Sequence, residues 1–325
     1  MVSPEKSTAT LFTPDTKEAN ITPLIKIKNK PVKLEKTPKL LGVVYDTMYT
    51  FSHHVKDTVK KGKAKVNVLK ALAGSTWGQD KECLLLTYKA VTRSTLEYAC
   101  PVWSTMISDT NWSHLQTVQN QALRVATGCL AMTNADHLHQ ETKVLPLRQH
   151  GQMLTKQFLA SCALPNHPGQ KHMDNPPPPR NLKKSLYEYK PEISALYESG
   201  LLRKQVIEKI HSETVRKCIQ NYDQNKVLNT SPPPINPDEL NLTRKERVEL
   251  ARLRSGYSRL VNSYLHKLDE QVEDKCPSCA TSPHDVNHLF ECRDNPTDLT
   301  IDSLWSNPRA VSNFLNLKDE NDDET

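Results

Sequence analysis

The chain has 325 residues, a formal charge of +6, 37% hydrophobic and only 6% aromatic residues, nine glycines and 22 prolines. That length holds two domains, or one domain with appendages, and that composition favours helices joined by stiff linkers over a many-stranded sheet. No run of 18 apolar residues marks a membrane span, and the N-terminus carries no apolar secretion segment. Eight cysteines, five of them scattered singly, make no disulfide framework, which points to an intracellular, reducing compartment, nucleus or cytoplasm.

In chain order, residues 1–51 read as a small α+β part. Thr8-Ala9-Thr10-Leu11-Phe12, Leu24-Ile25-Lys26-Ile27 and Val32-Lys33-Leu34 look like short strands. The apolar run of residues 39–45 looks like a buried strand with a close backbone approach at Gly42. From Phe51 to Leu164 the pattern turns helical. Val55, Val59, Val66, Leu69 and Leu72 recur every three or four residues, and residues 83–99 form an apolar-rich helix. Trp112, Leu115, Val118, Ala122, Leu123 and Ala126 keep a clean 3.6-residue period closed by Gly128, and residues 147–163 add a further helix after Pro146. Helices of these lengths with short connections predict a small bundle, so the chain is expected to be mainly α.

Two proline runs, Pro176-Pro177-Pro178-Pro179 and Ser231-Pro232-Pro233-Pro234, read as polyproline spacers around amphipathic helices striped by Leu201, Leu202, Val206, Ile207 and Ile210. Thr243-Arg244-Lys245-Glu246 is a capping box, from which one helix is predicted over residues 243–268. Its apolar side would be Leu253, Tyr257, Leu260, Val261, Tyr264 and Leu268, and its basic side Arg244, Lys245, Arg252, Arg259 and Lys267.

Charge is segregated. Residues 28–70 hold eleven lysines against Glu35, Asp46 and Asp57, a balance of 11 − 3 = +8, whereas residues 319–325 form an acidic tail. A basic window beside a helical bundle suits sequence-independent phosphate contacts, with Lys56, Lys60, Lys61, Lys63 and Lys65 the densest group. Soft metal ligands meet at metal-binding spacing in one place, residues 276–292. Cys276 and Cys279 are two residues apart, and His288 and Cys292 follow within reach of a tetrahedral shell, with His284 as the substitute fourth ligand. Zinc would replace a hydrophobic core that so few residues cannot build. Cys100 with His114, His53-His54 and His137-Leu138-His139 lack the orienting acids that catalysis would need, and no phosphate-binding glycine loop or serine elbow is present.

The order of these features resembles reverse transcriptases of non-LTR retrotransposons, of the jockey-like group. Ser3-Pro4-Glu5-Lys6-Ser7-Thr8 leading into Thr10-Leu11-Phe12, then Pro38-Lys39-Leu40-Leu41-Gly42-Val43 with Asp46 and Phe51, is similar to the end of their palm. Leu115-Gln116, Gln119-Asn120-Gln121-Ala122-Leu123-Arg124 and Thr127-Gly128 resemble their thumb helix. Leu250, Leu253-Arg254-Ser255-Gly256-Tyr257, Leu260, Tyr264-Leu265 and the Cys/His cluster resemble their carboxyl-terminal segment. The resemblance implies residues 1–51 as a residual palm end, 52–165 as a thumb-like bundle, 166–240 as a proline-rich linker with amphipathic helices, 241–318 as a long basic helix plus Cys/His module, and 319–325 as a disordered tail. It also implies that Lys6 lies near an incoming nucleotide and that Lys39, Leu40, Leu41 and Gly42 form a hairpin gripping a primer end.

The family's polymerase chemistry rests on palm aspartates, including an adjacent pair, that hold magnesium ions. The adjacent aspartates here are Asp322-Asp323 in the acidic tail, so the expected function is that of a truncated segment. Such a segment would bind RNA or DNA without sequence preference and would be inactive as a polymerase alone, with magnesium relevant only if the missing palm were supplied. The alternative expectation is an adaptor for other protein chains, using the zinc module and helix 243–268, with no membrane partner.

Overall fold

A computed structural model describes residues 3–74, 77–174 and 186–318; the tetraproline and the acidic tail lie outside the described residues. The protein is mainly helical with few, very short strands, as the composition predicts. It resolves into two compact units, each built from three separate stretches of chain. Unit 1 comprises Met1–Ala64, Arg93–Val118 and Leu145–Cys218, and unit 2 comprises Lys65–Thr92, Gln119–Val144 and Ile219–Thr325.

In unit 1 the strands are shorter than predicted. Thr8–Ala9 pairs in parallel with Lys33–Leu34, and Lys26–Ile27 pairs antiparallel with Lys30–Pro31. Residues 39–45 are not one buried strand. Lys39–Leu40 and Val43–Val44 pair across a two-residue turn in which Leu41 (φ 47°) and Gly42 (φ 86°) both take left-handed backbone. Positive φ at both central positions is the turn that matches strand twist in a tight hairpin, and glycine at the second makes it accessible. The Tyr98 hydroxyl donates to the Leu41 carbonyl at 3.1 Å, and a side chain at residue 42 would meet the Tyr98 ring at 3.1 Å.

The hairpin leads into an aromatic knot. Phe12 stacks on Tyr49 with centroids 4.9 Å apart, and Tyr45 tilts against Phe51 at 5.4 Å. The Asp46 carboxylate accepts from the backbone N–H groups of Met48, Thr50 and Phe51, tying this loop to the start of the helix Ser52–Leu72. Within unit 1 Phe51, just before that helix, and His54 and Val55 on it are buried, and His54 lies 5.7 Å from Trp103, itself 5.8 Å from Trp112. Burial and then the Lys61 charge hold His54 below its ordinary pKa. A second cluster of Met153, Leu159, Ile193, Leu196, Val206 and Ile210 packs the helices Leu147–Cys162, Lys190–Glu198 and Arg203–Asn221 together.

Unit 2 is organised on the helix Arg244–Arg254. The capping box forms as its sequence predicts, with Thr243 accepting from the Glu246 N–H and Glu246 accepting from the Thr243 N–H. The helix does not continue to residue 268. Gly256 (φ 72°) donates to the Leu253 carbonyl and Tyr257 donates to the Arg252 carbonyl, the paired bonds of a Schellman stop, and helix resumes only at Asn262–Leu268. Residues on both sides of the break pack on one core, where Leu253, Val261 and Tyr264 meet Phe290, Leu304 and Trp305, but Leu260 and Leu268, predicted on the same apolar side, are exposed.

The predicted basic side is corrected in part: Arg259 and Lys267 are exposed as expected, but two of its arginines are not. Arg244 is turned inward, with its guanidinium donating to the carbonyls of Gly74 (3.2 Å), Ala126 (2.5 Å) and Val125 (3.0 Å). Two of these are otherwise orphaned acceptors at the C-terminal end of the helix Asp109–Thr127, where a cation also meets the negative end of the helix dipole. Burial, then the neighbouring Arg247, pull the Arg244 pKa down to about 10. Arg252 likewise donates to the Gly128 carbonyl at 2.9 Å. Deeper still, the carboxylates of Glu141 and Glu239 share Lys81 (2.9 and 3.1 Å) and Arg254. Burial alone would raise the Glu141 pKa, but Lys81 and Arg254 together bring it down to about 2. Arg254 completes its hydrogen bonding on the Leu304 carbonyl at 3.0 Å.

Candidate metal centre

The Cys/His segment forms two short features that face each other. Cys276-Pro277-Ser278-Cys279 is a tight turn closed by the Ala280 N–H on the Cys276 carbonyl, with Ala280 in left-handed backbone (φ 54°). The second is the four-residue helix His288–Glu291, whose first N–H donates to the Asp285 carboxylate at 2.9 Å and whose last residue precedes Cys292. Phe290 and Val286 anchor this helix in the core of unit 2.

Between them the ligand atoms of Cys276, Cys279, His288 and Cys292 all lie within 4.8 Å of one another. The Cys276 and Cys292 sulfurs are 3.7 Å apart, and the Cys279 sulfur lies 3.3 Å from His288 Nε2. A tetrahedral zinc with Zn–S near 2.3 Å and Zn–N near 2.0–2.1 Å would need edges of about 3.7 Å for S–S and about 3.5 Å for S–N. These two edges come within about 0.2 Å of those lengths, and three thiols with one imidazole form a soft donor set of the kind zinc takes. Among the described residues this is the one group of three or more His, Cys, Asp or Glu side chains that converges in this way.

Backbone and hydroxyl donors favour the thiolate at two of the three sulfurs, Cys279 and Cys276. The Thr281 hydroxyl donates to the Cys279 sulfur at 3.3 Å; with the N–H groups of Thr281 and Ser282 it brings that thiol down to about 6. Burial would raise Cys276, but the N–H groups of Cys279 and Ser278 outweigh it and its pKa is lowered. For Cys292 burial wins and the pKa is raised, despite the N–H groups of Asp294 and Asn295. Burial would lower His288, but Cys279 and Cys276 outweigh it and raise it. Such crowding of sulfur and imidazole is an arrangement that a divalent cation would neutralise.

The choice between the two histidines is resolved by what each touches. His284 is outside the cluster: its Nδ1 accepts from the Asn262 N–H and its carbonyl accepts from the Ser263 N–H, both at 3.1 Å. It therefore caps the helix Asn262–Leu268, and burial, followed by the His288 charge, holds its pKa below the ordinary value.

The remaining predicted residues lie elsewhere, all on surfaces. Lys6 is exposed on the 3-10 turn Pro4–Lys6, and Lys39, Leu40, Leu41 and Gly42 are exposed on the hairpin. Lys56, Lys60, Lys61 and Lys63 are exposed on the helix Ser52–Leu72, and Lys65 is half-buried. Spacings of four and three residues put Lys56, Lys60 and Lys63 on one strip of that helix. No helix among the described residues is long and apolar enough to cross a membrane. The buried ionic group of Lys81, Glu141, Glu239 and Arg254 escaped the sequence reading, because its members are scattered through the chain and carry no shared motif.

These features define a mainly helical protein with a four-ligand Cys/His cluster that could hold a metal ion and has a composition compatible with zinc. Compared with known proteins, 122 residues of the chain are 30% identical to a probable RNA-directed DNA polymerase from transposon X-element of Drosophila melanogaster. The match takes in 38% of this chain and 13% of that relative, so the chain spans a small part of the relative's length. The similarity supports a reverse-transcriptase-related origin and a retrotransposon-related function. No family model matches the chain, and no solved structure matches it.

Proposed function

We propose that the chain is the carboxyl-terminal portion of a reverse transcriptase of a jockey-like non-LTR retrotransposon, and that it binds RNA or DNA without sequence preference. The observation that carries this reading is the 30% identity to a transposon RNA-directed DNA polymerase. The exposed lysine strip supports it, since ammonium groups three and four residues apart on a helix can each meet a backbone phosphate and release its counterion. In this reading Lys56, Lys60, Lys61 and Lys63 supply the main contacts, and Lys6 and the exposed hairpin residues Lys39, Leu40, Leu41 and Gly42 add to them. These 325 residues alone are proposed to extend no primer, because two-metal chemistry needs converging carboxylates and the sequence supplies adjacent aspartates only in the acidic tail.

Four phosphate contacts would weaken binding about a hundredfold between about 50 and 200 mM salt. Filter binding with the chain in which Lys56, Lys60, Lys61 and Lys63 are replaced by alanine should show weaker binding and a flatter salt dependence. Wild-type affinity indifferent to salt would remove the reading.

The Cys/His cluster is proposed as a structural zinc site. Bound zinc would tie the turn at Cys276 and Cys279 to the short helix through His288 and Cys292, in a segment too short to bury a core of its own. Metal analysis of dialysed protein should find stoichiometric zinc in the wild type and close to none with Cys279→Ser. Equal zinc in both would refute the ligand set.

A further inference from the structure

The four tryptophans divide sharply. Trp103, Trp112 and Trp305 are 1%, 6% and 2% exposed, whereas Trp77 is 61% exposed. An indole is the largest apolar payload a side chain carries, and an exposed one offers a flat face on which a second planar group can stack.

Trp77 is held in position by backbone. After the helix Ser52–Leu72, the Gly74 N–H donates to the Trp77 carbonyl at 2.9 Å, and the Gln79 N–H donates to the Leu72 carbonyl at 3.0 Å. Ala73 and Gly78 bridge antiparallel between these bonds, and Gly78 takes φ 96°. The indole then lies directly on Gly74. A side chain there would come within 2.4 Å of the ring nitrogen and 2.6 Å of its Cδ1 and Cε2 atoms. The pyrrole edge is thus seated where only glycine permits it, with the rest of the ring open to solvent.

Lys70 is exposed on the last turn of the preceding helix, and the Arg244 guanidinium, engaged on backbone carbonyls, donates to that of Gly74. The nearby acids are both engaged: Asp80 accepts from the Cys83 N–H at 2.7 Å as the cap of the helix Lys81–Thr87, and Glu82 accepts from Arg247 at 2.6 Å. A flat aromatic face with positive charge around it favours a ligand that is itself planar and carries anionic links, rather than an apolar protein side chain.

We propose that Trp77 is a stacking platform for one base of single-stranded nucleic acid. The proposal rests on the nucleic-acid-binding reading above and adds to it a contact that duplex, with its bases already stacked, cannot make. Loss of one base–aromatic stack weakens single-strand binding by about tenfold.

The test uses the full chain, an oligothymidylate and a duplex of equal length. Trp77→Ala should bind the single strand about tenfold more weakly and the duplex as the wild type does, while Trp77→Phe, which keeps a ring, should retain most of the single-strand affinity. Because the other tryptophans are buried, iodide quenching of fluorescence reports Trp77, and the single strand should shield it in the wild type. Unchanged single-strand affinity in Trp77→Ala, or an indole still open to iodide in the complex, would overturn the platform while leaving the lysine contacts standing. Shielding that grows with protein concentration in the absence of oligonucleotide would make Trp77 a contact between copies of this chain, and would also overturn it. If the wild type binds neither nucleic acid, the platform and the reading beneath it fall together.

Discussion

Two helices of this protein are rich in positive charge, and they use it in opposite ways. The helix Ser52–Leu72 carries lysines, of which Lys56, Lys60, Lys61 and Lys63 stand in solvent. The helix Arg244–Arg254 carries arginines, and Arg244, Arg247, Arg252 and Arg254 point into unit 2 and bind carbonyls and carboxylates. The difference is chemical as well as positional. A guanidinium offers five donors in a plane and tolerates burial when each is matched, whereas an ammonium is compact, strongly hydrated and better kept wet. Net charge therefore tells little about function here until it is known which charges are already spent inside.

The comparison breaks most visibly if an inward arginine is removed. Arg254→Leu would leave Glu141 and Glu239 sharing Lys81 in a buried site, with Arg247 at 4.0 Å from Glu239, at a cost of about 3–5 kcal/mol. That is a large part of the stability of an ordinary domain. Urea unfolding should show the loss in the transition of unit 2, and a change below about 1 kcal/mol would mean that the network is not a net support.

Acid attacks the same region in two stages. Burial keeps His137 neutral, with its pKa below the ordinary 6.5, so protonation favours the unfolded chain and stability starts to fall as pH drops below that value. Glu141 follows. Its folded pKa is depressed from 4.5 to about 2, so its contribution is complete above pH 4.5 and drains away as pH falls towards about 2. That shift corresponds to about 3 kcal/mol. Lys81 has a raised pKa, so its share is complete below 10.5 and is lost only above it. Thermal unfolding across pH 2 to 8 should therefore decline in two steps on the acid side, and Glu141→Gln should abolish the lower one.

Much of this was legible in the sequence, and the rest was hidden for identifiable reasons. The long amphipathic helices declared themselves by period, the start at Thr243 by its capping box, and the metal cluster by the spacing of its thiols. Composition hid the hairpin at residues 39–44, because a β-branched, apolar run reads as a buried strand; the family resemblance implied a hairpin there, and the φ values of Leu41 and Gly42 show its turn. The break after Arg254 was signalled by Ser255-Gly256, but a helical spacing of apolar residues on both sides masked it. The fate of the arginines could not be read at all. Their partners, Glu82, Glu141 and Glu239, lie up to 165 residues away, and local pattern carries no information about such pairs.

The smallest expected effect is the sharpest test of the contrast. Replacing Lys56, Lys60, Lys61 and Lys63 together by alanine removes four charges, yet it should change folding stability by no more than about 0.5 kcal/mol for each site. The four side chains are exposed, alanine is the better helix former, and relief of lysine–lysine repulsion on the strip offsets what little is lost. Urea unfolding of this variant and of Arg254→Leu, side by side, would then separate charge held outside for a partner from charge held inside for the fold. A quadruple variant as unstable as Arg254→Leu would place the lysines among the structural cations, and the division between the two helices would have to be abandoned.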